Sequence, residues 1–169
     1  MKKRYIVLIV IAVLVAALFI WRLWPQPASL FLPDGETAVT NIFATATVIS
    51  YEHGADFIYY NYDNDQPSAD TVSEILDILK TSDYRPDLRN LLPWGGSSLS
   101  GGNSYDGRSV TLYLRTGNGP EDVFSFHFVS RGNAFISVND GSGSRIYHPT
   151  NPEILSTLVE YIQTHGKQE

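Results

Sequence analysis

The stretch SVTLYLRTGNGPEDVFSFHFV, Ser109–Val129, decides the fold. Val110, Leu112 and Leu114 alternate with Thr111, Tyr113 and Arg115, and Phe124, Phe126 and Phe128 alternate in the same way within Val123–Val129. A period of two puts one apolar and one polar face on each segment, the pattern of half-buried strands. TGNGP between them supplies the glycines of a tight connection, so the two strands pair antiparallel. Downstream, Gly132-Asn133 leads into AFISVND and Asp140-Gly141 turns toward SRIYH. The result is a predicted four-stranded meander.

Working outward, TNIFATATVISY and DFIYYNY are β-rich and joined by EHGA, whose Gly54 marks a hairpin. In SADTVSEILDILK, Val72, Ile75, Leu76 and Leu79 recur at helical spacing. Thr71 with Glu74 makes one capping box for that helix, and Ser68 is an earlier candidate cap. TSDYRPDLRNLLPW predicts one short helical turn after Pro86. At the C-terminal end, Ile154, Leu155, Leu158, Tyr161 and Ile162 form a second apolar stripe, with a Thr150–Glu153 capping box and Gly166 closing the helix. The order ββα, long loop, ββββα predicts an α+β domain, an antiparallel sheet with two helices packed on it.

The N-terminus has a different pattern. Lys2, Lys3 and Arg4 precede an uncharged apolar run from Tyr5 to Trp21. As a helix at ~1.5 Å per residue that run is about 26 Å long, close to the ~30 Å hydrocarbon core of a bilayer. It exits through Phe19, Ile20, Trp21 and Leu23, where a signal peptidase requires small residues, so an uncleaved anchor is expected over a cleaved leader. The positive-inside rule places residues 1–4 in the cytoplasm, the helix at 5–24 in the membrane, and all that follows on the far side. Pro25 to Val39, with three prolines and a Pro-Asp-Gly turn, is expected to be a stalk, and residues 40–169 the extracytoplasmic domain.

Charge and composition narrow the chemistry. The chain carries a net −6, and because four of its twelve cations precede residue 25, the remainder stands at −10. Such an acidic domain repels phosphate backbones and anionic headgroups, which argues against nucleic acid as a partner and against the domain lying on the bilayer. With no cysteine, the chain has no disulfide, thiolate metal site, iron–sulfur cluster or lipidated cysteine. No cofactor is expected.

Candidate sites follow from the same residues. In GGSSLSGG, Gly96 and Ser98 fit the serine-hydrolase elbow, but Ser100 stands where its last glycine belongs. Lys80 and Lys167 do not lie three residues after a serine, and Leu91 to Ser109 holds no lysine for a phosphate-binding loop. That stretch is expected to be a connector first and a recognition loop second, with Trp94 and Tyr105 as its binding residues. Asp63, Asn64, Asp65 and Asp70 are oxygen-rich, yet Pro67 and Ser68 break the spacing of a calcium loop, so no metal is expected. Phe57, Tyr59, Tyr60 and Tyr62, with Tyr51 and Tyr113, could form an aromatic platform. Alternation sends Tyr60 and Tyr62, the two taken as binding residues, to the face opposite Phe57 and Tyr59. His53, His127, His148 and His165 are too far apart in sequence to suggest zinc, although folding could bring one beside an aspartate.

The element order over most of residues 40–165, together with its two helix patterns, resembles the small uncharacterised ectodomains that Gram-positive bacteria carry behind a single anchor, the DUF5301-like family. That resemblance implies an extracytoplasmic, non-catalytic accessory domain. The expectation is therefore a binding domain of the bacterial cell envelope whose partner is another envelope or membrane protein. The alternative is an envelope hydrolase using a serine or a carboxylate pair.

Overall fold

The structure, a computed structural model, describes residues 2–33, 38–50, 56–91, 107–117, 119, 122–129, 133–137 and 144–169. Helix α1 (Lys2–Arg22) leads through three residues into a two-residue strand β1 (Gln26–Pro27) and a 3₁₀ turn at Ala28–Leu30. Then come β2 (Asn41–Ser50), β3 (Asp56–Asn64), α2 (Ala69–Lys80), β4 (Asp83–Pro86) and a 3₁₀ turn at Leu88–Leu91. The chain closes with β5 (Arg108–Arg115), β6 (Val123–Val129), β7 (Asn133–Ser137), β8 (Ser144–Pro149), α3 (Ile154–His165) and β9 (Lys167–Gln168).

Among the described residues every strand pair is antiparallel, and the strands run β1-β4-β8-β7-β6-β5-β2-β3-β9. The expected meander is β5 to β8, with Leu112 opposite Phe126 and Ser125 opposite Ser137. The β2–β3 hairpin joins it through β2, where Ala44 faces Leu112 on one side and Tyr62 on the other. Helix α2 carries the chain from β3 back to the opposite end of the sheet, and α3 returns it from β8 to β9 beside β3.

Both helices bury their stripes against one face of the sheet. Val72, Ile75, Leu76 and Leu79 of α2, and Leu158 and Ile162 of α3, meet Ile42, Val110, Leu112, Leu114, Phe126 and Phe128 in a single core. Burying one such side chain stabilises the fold by about 1.5–3 kcal/mol. Ala44 and Ala46 are small, and between the larger Tyr60 and Tyr62 on β3 and Val110 and Leu112 on β5 they leave a trough. Helix α3 lies across β2, β3 and β5, where that trough lets its backbone approach the sheet.

Within the stretch expected to form a stalk, the described residues 25–33 and 38–39 contribute to the core. Ala28, Phe31, Leu32 and Val39 are core residues. The Phe31 ring meets Tyr147 at 4.7 Å and Tyr84 at 5.7 Å, edge-on in both cases. Of the prolines that suggested a linker, Pro27 ends the short edge strand β1 and leads into the 3₁₀ turn. Residues 83–86, left unassigned by periodicity, form β4, whose single buried ring Tyr84 donates to the Leu79 carbonyl at 3.1 Å. Burial pushes that phenol well above its usual acidity range.

The helix ends also differ from expectation in detail. Ser68 caps α2, accepting from the Thr71 amide at 3.2 Å, in place of the Thr71–Glu74 box. Before α3, Thr150 Oγ1 accepts from the Asp83 amide and Asn151 Oδ1 from the Glu153 amide, so Thr150 ties β4 down and caps nothing. Gly166 ends α3 as expected, with an extended backbone at φ −93°. Its requirement is space: a Cβ there would lie 2.6 Å from the Ile162 carbonyl oxygen and 2.7 Å from that of Asn61.

Candidate functional site

With both helices on one face, the opposite face of β3, β2 and β5 carries the residues that alternation sends outward. On β2 these are Phe43, Thr45, Thr47 and Ile49; on β3, Phe57, Tyr59, Asn61 and Asp63; on β5, Ser109, which is buried, Thr111, Tyr113 and Arg115. Phe43, Phe57, Tyr59 and Tyr113 are 37%, 52%, 43% and 38% exposed. Among the described residues beyond Trp24, only Leu30 and Leu88 join them as large exposed hydrophobics.

The geometry of this face follows from register. Phe43 and Tyr113 are direct partners across β2 and β5, their rings 6.0 Å apart and tilted by 33°. Phe57 and Tyr59 stand two residues apart on β3, hence side by side on the same surface. Between the two pairs, Thr45 Oγ1 donates to Asn61 Oδ1 at 2.9 Å. The surface is therefore two aromatic pairs flanking a hydroxyl–amide bridge, with Asp63 and Arg115 at one margin. Toward β6 it becomes less accessible: Thr111 Oγ1 shares a hydrogen bond of 2.8 Å with His127 Nδ1, and burial lowers the basicity of that imidazole.

Tyr60 and Tyr62, the two rings singled out from the sequence, lie on the helix side and are half-buried against the core. Tyr62 packs edge-on to Tyr161 at 6.1 Å, and the Tyr161 hydroxyl donates to Glu74 Oε2 at 3.3 Å. Burial first, then the neighbouring Tyr62 and Glu74, push the Tyr161 phenol well above its ordinary range. The exposed members of the β3 alternation are Phe57 and Tyr59. Phe43 was missed in sequence because alternation in NIFATAT gives two faces, and only the small Ala44 and Ala46 hint at which one the helices cover. Trp94, Tyr105, Ser98 and Ser100 lie outside the described residues.

A second cluster gathers around Asp87, just past β4. Its Oδ1 accepts from Arg89 Nε at 2.9 Å and from the Arg89 amide at 2.7 Å, while Oδ2 accepts from Arg89 Nη2 at 3.1 Å and His148 Nε2 at 2.8 Å. The Arg89 side chain above all, helped by the Arg89 amide and His148 and opposed by partial burial, holds this carboxyl well below the usual carboxylate range. A carboxylate orienting an imidazole is also half of a serine-hydrolase triad. Among the described residues, however, no serine or threonine hydroxyl bonds to His148. What Asp87 does visibly is clamp the turn at Leu88–Leu91 to β8.

The oxygen-rich stretch before α2 is occupied by local bonds. Asn41 Nδ2 donates to Asp65 Oδ1 at 2.8 Å, and Asn64 Oδ1 accepts from the Gln66 amide at 3.2 Å, which closes an Asx turn. Among the described residues, no group of three or more histidine, aspartate or glutamate side chains could hold a metal ion.

No family model, no curated protein and no solved structure matches the chain. Among the described residues, the aromatic face of β2, β3 and β5 gathers four of the six large exposed hydrophobics that follow Trp24. Helix α1 adds a second property: Tyr5–Arg22 is long and apolar enough to cross a membrane, and none of it is buried.

Proposed function

We propose that this chain is a single-pass membrane protein of the bacterial cell envelope and that its domain is a non-catalytic binding module. Lys2, Lys3 and Arg4 keep the N-terminus in the cytoplasm, α1 crosses the bilayer, and the domain stands on the outer side. Its partner is another envelope or membrane protein, taken on the aromatic face. The observation that carries this reading is that Phe43, Phe57, Tyr59 and Tyr113 are all exposed on the sheet face opposite α2 and α3. Aromatic side chains concentrate at the centres of protein interfaces because each buries a large area at little cost in rotamer freedom. Threonines on the same face show that polar residues suit these positions, so the fold itself does not demand rings there.

The test is cross-linking of tagged full-length protein in its native membrane, followed by identification of attached proteins. The double variant Phe43→Ser/Tyr113→Ser is expected to lose the attached partner while melting within about 4 °C of the parent, two surface substitutions at about 0.5 kcal/mol each. Undiminished recovery from both this variant and Phe57→Ser/Tyr59→Ser would refute the aromatic face as the binding surface.

A further inference from the structure

The proposed anchor is joined to the domain by very little chain. Leu23, Trp24 and Pro25 alone separate α1 from β1, and the Leu23 and Trp24 amides still bond back to Phe19 and Trp21. From Arg22 to Gln26 the chain can reach no more than about 14 Å. A bilayer's headgroup region is itself ~5–7 Å deep on each side. The end of the domain nearest β1 is therefore held at the lipid surface.

Register says which part that is. Gln26 pairs with Tyr84 and Pro27 with Asp83, antiparallel. The chain coming from α1 thus enters β1 beside the far end of β4, where Pro86 leads into the turn at Leu88–Leu91. In that turn Leu88 is 63% exposed, as is Trp24 at 65% on the incoming chain. The exposure is built in: the Asp87 amide donates to the Ile146 carbonyl at 3.0 Å, and the Asn90 side chain both donates to that carbonyl at 2.6 Å and accepts from the Ile146 amide at 3.0 Å. With Asp87 also clamped by Arg89 and His148, the turn is fixed on both sides of Leu88. Its one acidic group is the carboxylate those partners neutralise, and exposed Arg85 lies just before it.

We infer that the turn at Leu88–Leu91 rests on the bilayer, with Leu88 entering the lipid interface beside Trp24. This rests on α1 spanning the membrane as proposed. A rigidly displayed leucine next to an interfacial tryptophan is suited to that boundary, where apolar side chains enter and cations remain at the headgroups. Membrane contact at this turn fixes the orientation of the sheet above the lipid, a task that three connecting residues alone do not accomplish.

The absence of native cysteine makes the test direct. Single cysteines replacing Ala16, Leu88 or Glu160 in the full-length chain are labelled with a fluorophore and reconstituted, one chain per phosphatidylcholine nanodisc, with chain-brominated lipid as quencher. Loss of emission is expected at Ala16 in α1 and at Leu88, and none at exposed Glu160 on α3. Quenching at Ala16 without quenching at Leu88 overturns this inference and leaves the anchor standing. No quenching at Ala16 overturns the anchor itself. Equal quenching at Leu88 and Glu160 also overturns the inference, because the domain would then have no preferred side toward the lipid.

Discussion

Replacing Phe31 by alanine distinguishes a domain that starts at residue 26 from one that starts after a stalk. The Phe31 side chain is 7% exposed and its ring meets Tyr84 and Tyr147 at 5.7 and 4.7 Å. Truncating a buried phenylalanine removes the transfer free energy of the ring and leaves a cavity, together about 3–5 kcal/mol. Phe31 lies near the start of the domain, where the neighbouring chain can close part of that cavity, so the lower end, about 3 kcal/mol, is expected. At about 2–4 °C per kcal/mol for a domain of this size, the melting temperature should fall by roughly 6–12 °C. Leu30→Ala is the matched control, because Leu30 is 63% exposed one residue away. Its effect should stay within about 0.5 kcal/mol. The assay is thermal unfolding of the full-length protein in detergent micelles, followed by near-ultraviolet circular dichroism, which reports the packing of Tyr84 and Tyr147. Equal melting of Phe31→Ala and Leu30→Ala would refute the reasoning and return residues 25–39 to a stalk.

Two further substitutions probe the joints of the fold. Gly166→Ala forces a Cβ against two carbonyl oxygens at 2.6 and 2.7 Å, in backbone that cannot yield as a side chain would. A loss of about 1–3 kcal/mol is expected, with faster hydrogen exchange at the β9 amides; unchanged exchange would show that the strand end shifts freely. Asp87→Asn tests the clamp through pH. The folded Asp87 carboxyl is held below its ordinary value, so the unfolded chain binds the proton first as pH falls. The stability Asp87 contributes is full above about pH 5 and declines as acid passes the ordinary aspartate value of ~3.9 and then the lower folded one. The variant should be less stable at pH 7 and the gap to the parent should narrow toward pH 2; parallel curves would mean that the clamp contributes nothing.

Periodicity made the meander and both helices legible. In β5, β6, α2 and α3 the buried apolar residues sit at the spacing their element requires, so local pattern and tertiary burial agree. The short elements had no such pattern. In β4 the buried side is essentially one ring, Tyr84, and its ladder partners are Gln26 and Pro149, both remote in sequence. In β9, Lys167 and Gln168 are polar and exposed, and only backbone pairing to Asn61 and Tyr60 makes them a strand. Prolines and a Pro-Asp-Gly turn made residues 25–39 resemble a linker, because a 3₁₀ turn buries Ala28 and Phe31 with neither strand nor helix spacing. For the aromatic face, alternation separated Phe57 and Tyr59 from Tyr60 and Tyr62, but the covered side was decided by where α3 crosses. Ala44 and Ala46 were the local clue to that crossing.

Exposure of the aromatic face follows from the path of the chain. The connection from β3 to β4 runs through α2 and the connection from β8 to β9 through α3, and both pass over the same side of the sheet. Once both helices are committed there, no helix among the described residues covers the other side of β2, β3 and β5. A fold could meet that condition with polar residues throughout, as Thr45, Thr47 and Asn61 do. At Phe43, Phe57, Tyr59 and Tyr113 it does not, and these four rings are exposed together on one face. The strand order adds a second constraint: β5, β2 and β3 lie four to six positions from β4. At ~4.8 Å per strand, that is about 19–29 Å along a flat sheet, less where it twists. The tether enters at the β1–β4 edge, so the chain's topology separates its attachment point from its aromatic surface. On the proposed anchorage, a partner would reach those rings without having to displace the turn at Leu88 from the lipid.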